Sequence, residues 1–300
     1  MFDSYEELAR LVKEGKKKRR IAVAAAHDSH TLEGVSEACR QGFIHPILIG
    51  DEKAIRRLIE AERLCLDEAE IIHEPDNIKA AKAAVAQIRE GKADILMKGM
   101  LQTSELMREV VSSESGIKGG GVLSHVGLFS IPAYHKMILL TDGGMLIAPD
   151  AEQKRQLAEN AVDVMKSLGC SCPKIAVLCA TEAVNPKMPA SVDAAMLKRW
   201  NEEGVLKDCI VEGPISFDLM FSSEAAKVKR YESPVAGDAD IWLMPDMTAG
   251  NLVAKALMCA AGAKMAGLIV GAKAPIVLVS RGATSEEKYD SLVFAAAIAD

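Results

Sequence analysis

No apolar run in this 300-residue chain approaches the ~20 residues that a membrane-spanning helix needs. No membrane-spanning helix is expected on that ground. Nor is there an excess of positive charge. Lys and Arg number 36 against 42 Asp and Glu, a net charge of −6, so a nucleic acid or an anionic membrane gains no electrostatic support. The one basic run, Lys16-Lys17-Lys18-Arg19-Arg20, precedes a strand pattern and reads as a solvated turn. A disulfide framework is missing as well. The seven cysteines are odd in number and scattered, several within apolar segments (Cys179, Cys209, Cys259), and read as reduced thiols of a cytoplasmic protein. Cys170-x-Cys172 lacks a second pair and is half a metal site at most. The Gly-x-Gly-x-x-Gly and P-loop patterns are absent, so a nucleotide dehydrogenase or kinase lacks its expected phosphate cradle. The Gly-x-Ser-x-Gly elbow is absent too, as is any repeat of solenoid period. The acidic, helical N-terminus does not read as a signal peptide.

What is present is an ordinary globular composition, 49% hydrophobic and 26% charged, in a length that suggests two domains. Strand and helix patterns alternate from the start. Helices are expected near 4–14, from about 31 to Gly42, over 51–63, over 76–90 before Gly91, and from Thr103; strands at 21–26, 46–50, 69–73 and 93–97. Such alternation predicts parallel sheets with helices on both faces. The pattern breaks at residues 116–127, where five of twelve are glycine, and this reads as a domain junction or a loop close to a ligand. Strands at 136–141 and 145–148 are expected to flank a turn at Asp142-Gly143-Gly144. A helix with an Asp150/Gln153 capping box should run to Leu168. Further strands are expected at 174–180, 208–212, 240–244 and 267–270, giving the second half its own α/β core.

Residues 275–279 are apolar and read as a fully buried strand. Ser280-Arg281-Gly282 follows at once, and Thr284-x-x-Glu287 then has capping-box spacing before an apolar helix. A hydroxyl, a cation and a carboxylate thus stand where a buried strand gives way to a helix. In open parallel sheets ligands bind just beyond the carboxyl ends of strands. Other polar or glycine-rich strand ends are His27-Asp28, Lys98-Gly99, Asn185-Pro186-Lys187, Gly213-Pro214 and Pro245-Asp246, each weak alone. Asp28 and Thr31 read as turn and cap residues, and a metal at His27 and His30 would want a third ligand. Ser124-His125 with Lys118 is either an anion site beside the glycines or hinge surface.

Ser233-Pro234-Val235-Ala236-Gly237-Asp238-Ala239-Asp240, Pro245-Asp246, Ala249-Gly250-Asn251, Ala261-Gly262-Ala263 and Ser280-Arg281-Gly282 occur in an order and spacing that resembles the phosphate acyltransferases. These move an acyl group between phosphate and coenzyme A. Within them, Asn185-Pro186-Lys187-Met188-Pro189-Ala190, Glu212-Gly213-Pro214 and the length look more like phosphate butyryltransferases than phosphate acetyltransferases. The resemblance implies a two-domain α/β architecture like that of isocitrate and isopropylmalate dehydrogenases, with parallel-rich sheets flanked by helices and an interdomain cleft. The domains would be 1–128, completed by a returning C-terminal segment 281–300, and 129–280. It implies Ser280, Arg281 and Glu287 as catalytic residues, with Glu287 standing where the acetyltransferases carry an Asp base. Lys98, Ser124, Asn185, Lys187 and Gly282 are the expected substrate contacts. No metal or permanent cofactor is expected; coenzyme A is a substrate. The expected partners are acyl-coenzyme A and phosphate, a second copy of the chain in at least a homodimer, and metabolic coupling to a butyrate- or acetate-type kinase.

The chemistry asks for the same residue types. A coenzyme A thiol is mostly protonated at neutral pH, so a carboxylate or cation must favour the thiolate. The oxyanion that forms at the acyl carbon needs a donor such as the Ser280 hydroxyl or a backbone N–H. The leaving phosphate needs cations and helix N-termini, such as Arg281, Lys98 and the glycine stretch. Direct transfer in a ternary complex fits better than an acyl-enzyme, since no His is placed by sequence to activate Ser280. Two other classes stay open: an NAD-dependent decarboxylating dehydrogenase of the same fold, and a non-catalytic coenzyme A or acyl-phosphate binding protein.

Overall fold

The computed structural model describes residues 4–15, 17–280 and 282–299. They form two compact units, one of residues 4–123 with 265–300, the other of residues 124–264.

The first unit opens with α1 (Tyr5–Glu14), capped by the Ser4 hydroxyl accepting from the Glu7 amide. It continues through β1 (Arg19–Ala24), α2 (Ser29–Arg40), β2 (Ile44–Gly50), α3 (Glu52–Glu62), β3 (Glu70–His73), α4 (Asn77–Arg89), β4 (Ile95–Lys98) and α5 (Thr103–Val110). Residues 21–26 are all fully buried, as an unbroken apolar run in a central parallel strand must be. Aspartates start three of the helices: Asp28, Asp51 and Asp76 each accept amide hydrogen bonds at the N-cap.

The second unit holds β5 (Ser124–Ser130), β6 (Ile138–Thr141), α6 (Ala151–Ser167), β7 (Lys174–Leu178), α7 (Pro189–Glu202), β8 (Ile210–Ile215), α8 (Phe217–Phe221), α9 (Ser223–Lys229), β9 (Ile241–Leu243) and α10 (Met247–Ala261). Its strands lie in the order β5-β6-β9-β7-β8, parallel except for the β5–β6 pair. Trp242 at the centre is fully buried, with Tyr134, Phe217 and Phe221 packed around its ring. The Asp150/Gln153 capping box on α6 is formed as expected.

The chain then completes the first unit with β10 (Lys264–Val270), β11 (Ile276–Val277) and α11 (Ser285–Ile298), giving the order β3-β2-β1-β4-β11-β10. All pairs here are parallel except β10–β11. From sequence, residues up to 280 are expected with the other domain. Pairing of β11 with both β10 and β4 instead carries 265–280 into this unit. The C-terminal α11 packs against α2 and α1, and the Tyr5 hydroxyl accepts from the Ala266 amide at 2.8 Å.

Four local expectations change. Residues 145–148 form no strand; the Asp142 carboxylate takes the amides of Gly144, Met145 and Leu146 at 2.7–3.1 Å, which withdraws the start of this segment from a ladder. The glycine stretch ends inside a strand, since β5 already starts at Ser124. Of residues 275–279 only Ile276 and Val277 pair in the sheet; Pro275 has no N–H to offer and contributes its carbonyl to the Leu96 amide. Gly213-Pro214, taken for a strand end, lies within β8.

Candidate active site

In the first unit the neighbouring strands β1, β4 and β11 run parallel, so their carboxyl ends share one edge. Three of the expected residues come to that edge from distant parts of the chain. Lys98 ends β4 and is 5% exposed; its ammonium donates to the carbonyls of Gly99 at 3.3 Å and Leu101 at 3.1 Å, which holds the cation at the strand end. A side chain on Gly99 would collide with the backbone of Ala24 and Ala25 at the end of β1, so only glycine allows this approach. Ser280 follows β11 and is exposed; its carbonyl accepts from the Ala283 amide at 3.1 Å, closing a turn that contains the exposed Gly282. Arg281, expected to meet phosphate, lies outside the described residues.

The turn leads into the capping box. The Glu287 amide donates to the Thr284 hydroxyl at 3.2 Å, and the Thr284 amide donates to Glu287 Oε2 at 2.7 Å. Glu287 therefore does serve as a cap, and it does so half-exposed, seven residues after Ser280. One residue further on, the buried Lys288 ammonium donates to Asp28 Oδ2 at 2.7 Å and Thr31 Oγ1 at 2.9 Å. Asp28 is the N-cap of α2 and accepts from the amide and hydroxyl of Thr31. Burial alone would raise its pKa, but hydrogen bonds from Lys288 and Thr31 carry it below the usual carboxylate range. Asp28 was legible as a cap; its cationic partner, 260 residues away, was not.

The second unit gathers another set. Ser124 is fully buried, and its hydroxyl accepts from Asn160 Nδ2 at 2.9 Å, so its position is that of an internal tether between β5 and α6. Gly127 pairs with Leu140 in the antiparallel β5–β6 ladder, and His125, two residues before Gly127, is near enough to Asp142 to feel its charge. Desolvation lowers the His125 pKa, partly opposed by Asp142, which keeps the imidazole neutral at neutral pH. Its Nδ1 is buried without a hydrogen-bond partner. Asn185 is exposed; its side-chain oxygen accepts from the Lys187 amide at 3.0 Å and its own amide donates to the Ser191 hydroxyl at 2.9 Å. That geometry makes it a turn residue before α7. Lys187 is exposed on the same turn, and Lys118 is exposed in the first unit. Among the described residues no group of three metal-ligating side chains occurs.

The family model described as phosphate acetyl/butaryl transferase matches residues 4–82 and 73–296. The chain belongs to that family. A phosphate butyryltransferase from Clostridium acetobutylicum is 38% identical over 299 residues, covering 100% of this chain and 99% of the relative. A phosphate acetyltransferase from Thermotoga maritima is 41% identical over 283 residues, 94% of this chain and 96% of that one. Among solved structures, a branched-chain phosphotransacylase from Enterococcus faecalis superposes with a TM-score of 0.83 at 36% identity, over 93% of this chain and 98% of the other. A 4-hydroxythreonine-4-phosphate dehydrogenase from Salmonella typhimurium shares the fold alone, with a TM-score of 0.56 at 13% identity over 94% of this chain and 100% of its own. This phosphate acyltransferase thus shares its α/β architecture with that dehydrogenase.

Proposed function

We propose that this enzyme exchanges a short acyl group between coenzyme A and inorganic phosphate, butyryl-coenzyme A plus phosphate giving butyryl phosphate plus coenzyme A. The observation that carries this reading is membership of the acyltransferase family over nearly the whole chain, residues 4–296. The butyryl preference is supported by the end-to-end similarity to a butyryltransferase, and by the 185–190 motif. In the reverse direction, from acyl phosphate to acyl-coenzyme A, the thiol proton passes to the Glu287 carboxylate, the sulfur bonds to the acyl carbon, and the acyl C–O bond to phosphate breaks. The Ser280 hydroxyl donates to the oxyanion that forms in between. Arg281 and Lys98 balance the charge of the departing phosphate. Substrate and thiol react directly, with no acyl-enzyme.

The same reading includes self-association. Helix α10 has 15 residues and a single charge, Lys255, yet buries only Gly250 within its own chain, and Leu252 is 63% exposed. Such an apolar face suits a second copy of the chain. Seven free cysteines support a reducing, cytoplasmic setting. An acyl phosphate product calls for a kinase that passes its phosphoryl group to ADP.

Thiol release from acetyl-, butyryl- and isobutyryl-coenzyme A, with and without phosphate, tests the proposal. Phosphate-dependent release is expected, faster for the four-carbon chains. A preference for acetyl would instead assign the chain to the acetyltransferases, and an absence of phosphate stimulation with every chain would remove the acyltransfer reading.

A further inference from the structure

Glu287 and the Ser280 turn owe their placement to how α11 is seated, and that seat is unusual. The first turn of α11 lies against α2 so closely that a Cβ on Gly34 would meet the Ser285 carbonyl at 3.0 Å, Lys288 Cβ at 3.2 Å and the Tyr289 amide at 3.3 Å. Within this contact sits an ion pair, Lys288 with Asp28, whose side chains are only 5% and 16% exposed. Thr31, also fully buried, bonds both members. A buried ion pair is a poor way to gain stability, because desolvating two charges offsets most of their attraction, whereas an apolar contact of the same volume would do as well or better. What the pair does specify is position. The ammonium has two fixed acceptors on one helix cap, so it fixes both the rotation and the height of α11 where Glu287 precedes it. One turn further along, the Ser291 hydroxyl accepts from the Gly267 amide of β10 at 3.1 Å and donates to the Glu287 carbonyl at 2.9 Å, a second fixed point on the same helix face.

We propose that Lys288, through Asp28 and Thr31, is a positioning residue for acyl transfer: it sets the register of the α11 first turn, and so the place of the Glu287 carboxylate and of the Ser280 turn. The inference rests on the acyltransferase reading. It assigns the Lys288–Asp28 pair a role in turnover that the helix's own capping box cannot supply, since the box fixes Glu287 relative to Thr284 only.

The test is the double variant Asp28→Asn with Lys288→Met. Asn still caps α2, and Met fills the space of the lysine stem with no charge left unpaired. Melting temperature, kcat, KM for both substrates and amide hydrogen exchange at residues 286–289 are measured on parent and variant. The proposal expects a melting temperature near the parent's, KM values within about twofold, kcat lower by roughly ten- to a hundredfold, as sub-ångström to ångström misplacement of a reacting group produces, and faster exchange in the first turn of α11. Restoring Lys288 in the Asp28→Asn background should recover part of the kcat. A variant with parental kcat and parental exchange overturns the proposal. If the parent itself lacks phosphate-dependent acyl transfer, the functional reading fails instead. The exchange measurement then still decides the structural claim, and unchanged protection at 286–289 sinks it.

Discussion

At the scale of single residues the decisive group is Glu287. Its carboxylate accepts from the Thr284 amide, the cap interaction that the spacing predicts, and the acyltransfer reading gives it a second task as base. A glutamine keeps an oxygen acceptor for the cap but takes no proton at neutral pH. Glu287→Gln is therefore expected to melt close to the parent and to lose about a hundredfold or more in kcat. Thr284→Ala is the reciprocal control, costing ~0.5–2 kcal/mol of helix stability while leaving the carboxylate in place. Near-parental turnover by Glu287→Gln would leave the residue a cap only. Arg281→Ala should raise the KM for phosphate with little change in melting temperature, because a guanidinium binds phosphate oxygens in a bidentate way that alanine cannot replace. Lost stability with an unchanged KM would make it a structural arginine.

At the scale of elements, the contact of α2 with α11 is the tightest constraint on the turn that carries Glu287. Gly34→Ala would normally raise helix stability by ~0.5–1 kcal/mol. Here the new methyl group faces the Ser285 carbonyl at 3.0 Å and the Tyr289 amide at 3.3 Å, backbone atoms that cannot rotate away. Overpacking of that kind costs ~1–3 kcal/mol, so a net loss of about 1 kcal/mol and reduced turnover are expected, read by thermal melting and the thiol assay. Unchanged stability would mean that α11 can slide, which would also weaken the case for Lys288. On the other unit, Ser124 and Asn185 show how element context holds a residue in place. A serine at a strand start becomes an internal acceptor for α6, and an asparagine in a motif becomes the hinge of a turn before α7.

At the scale of the whole molecule, both units tie themselves together with carboxylates held below their ordinary pKa. Burial alone would raise Asp28, Asp94 and Asp238, but Lys288, Arg20 and the trio Lys136, Lys174 and His135, respectively, pull each of them down. A carboxylate whose folded pKa is depressed contributes stability that is fully present above its unfolded value, about 3.9, and is lost as pH falls through the folded value. Melting temperature should therefore hold between pH 5 and 7 and fall below about pH 4. Asp238→Asn should lower it at neutral pH and flatten the acid limb. A melting temperature that is flat from pH 5 to pH 3 would contradict this reading of the three anchors.

Local pattern was enough for much of this protein. The alternation of strands and helices, the caps at Asp28, Asp150 and Thr284, and the glycine stop of α4 all depend on residues within a few positions of one another, and the proposal for Ser280 and Glu287 starts from the same short stretch. What tertiary structure decided involves partners far apart in the chain. Residues 275–279 are strand-like throughout, yet only two of them find ladder partners; Met145 and Leu146 give their amides to Asp142 and not to a neighbouring strand. The return of β10 and β11 to the first unit, and the seating of α11 by a lysine on an aspartate 260 residues upstream, carry no local signature. Periodicity and capping express short-range sterics and hydrogen bonding, whereas the choice of a long-range partner is made by the packing of the whole core.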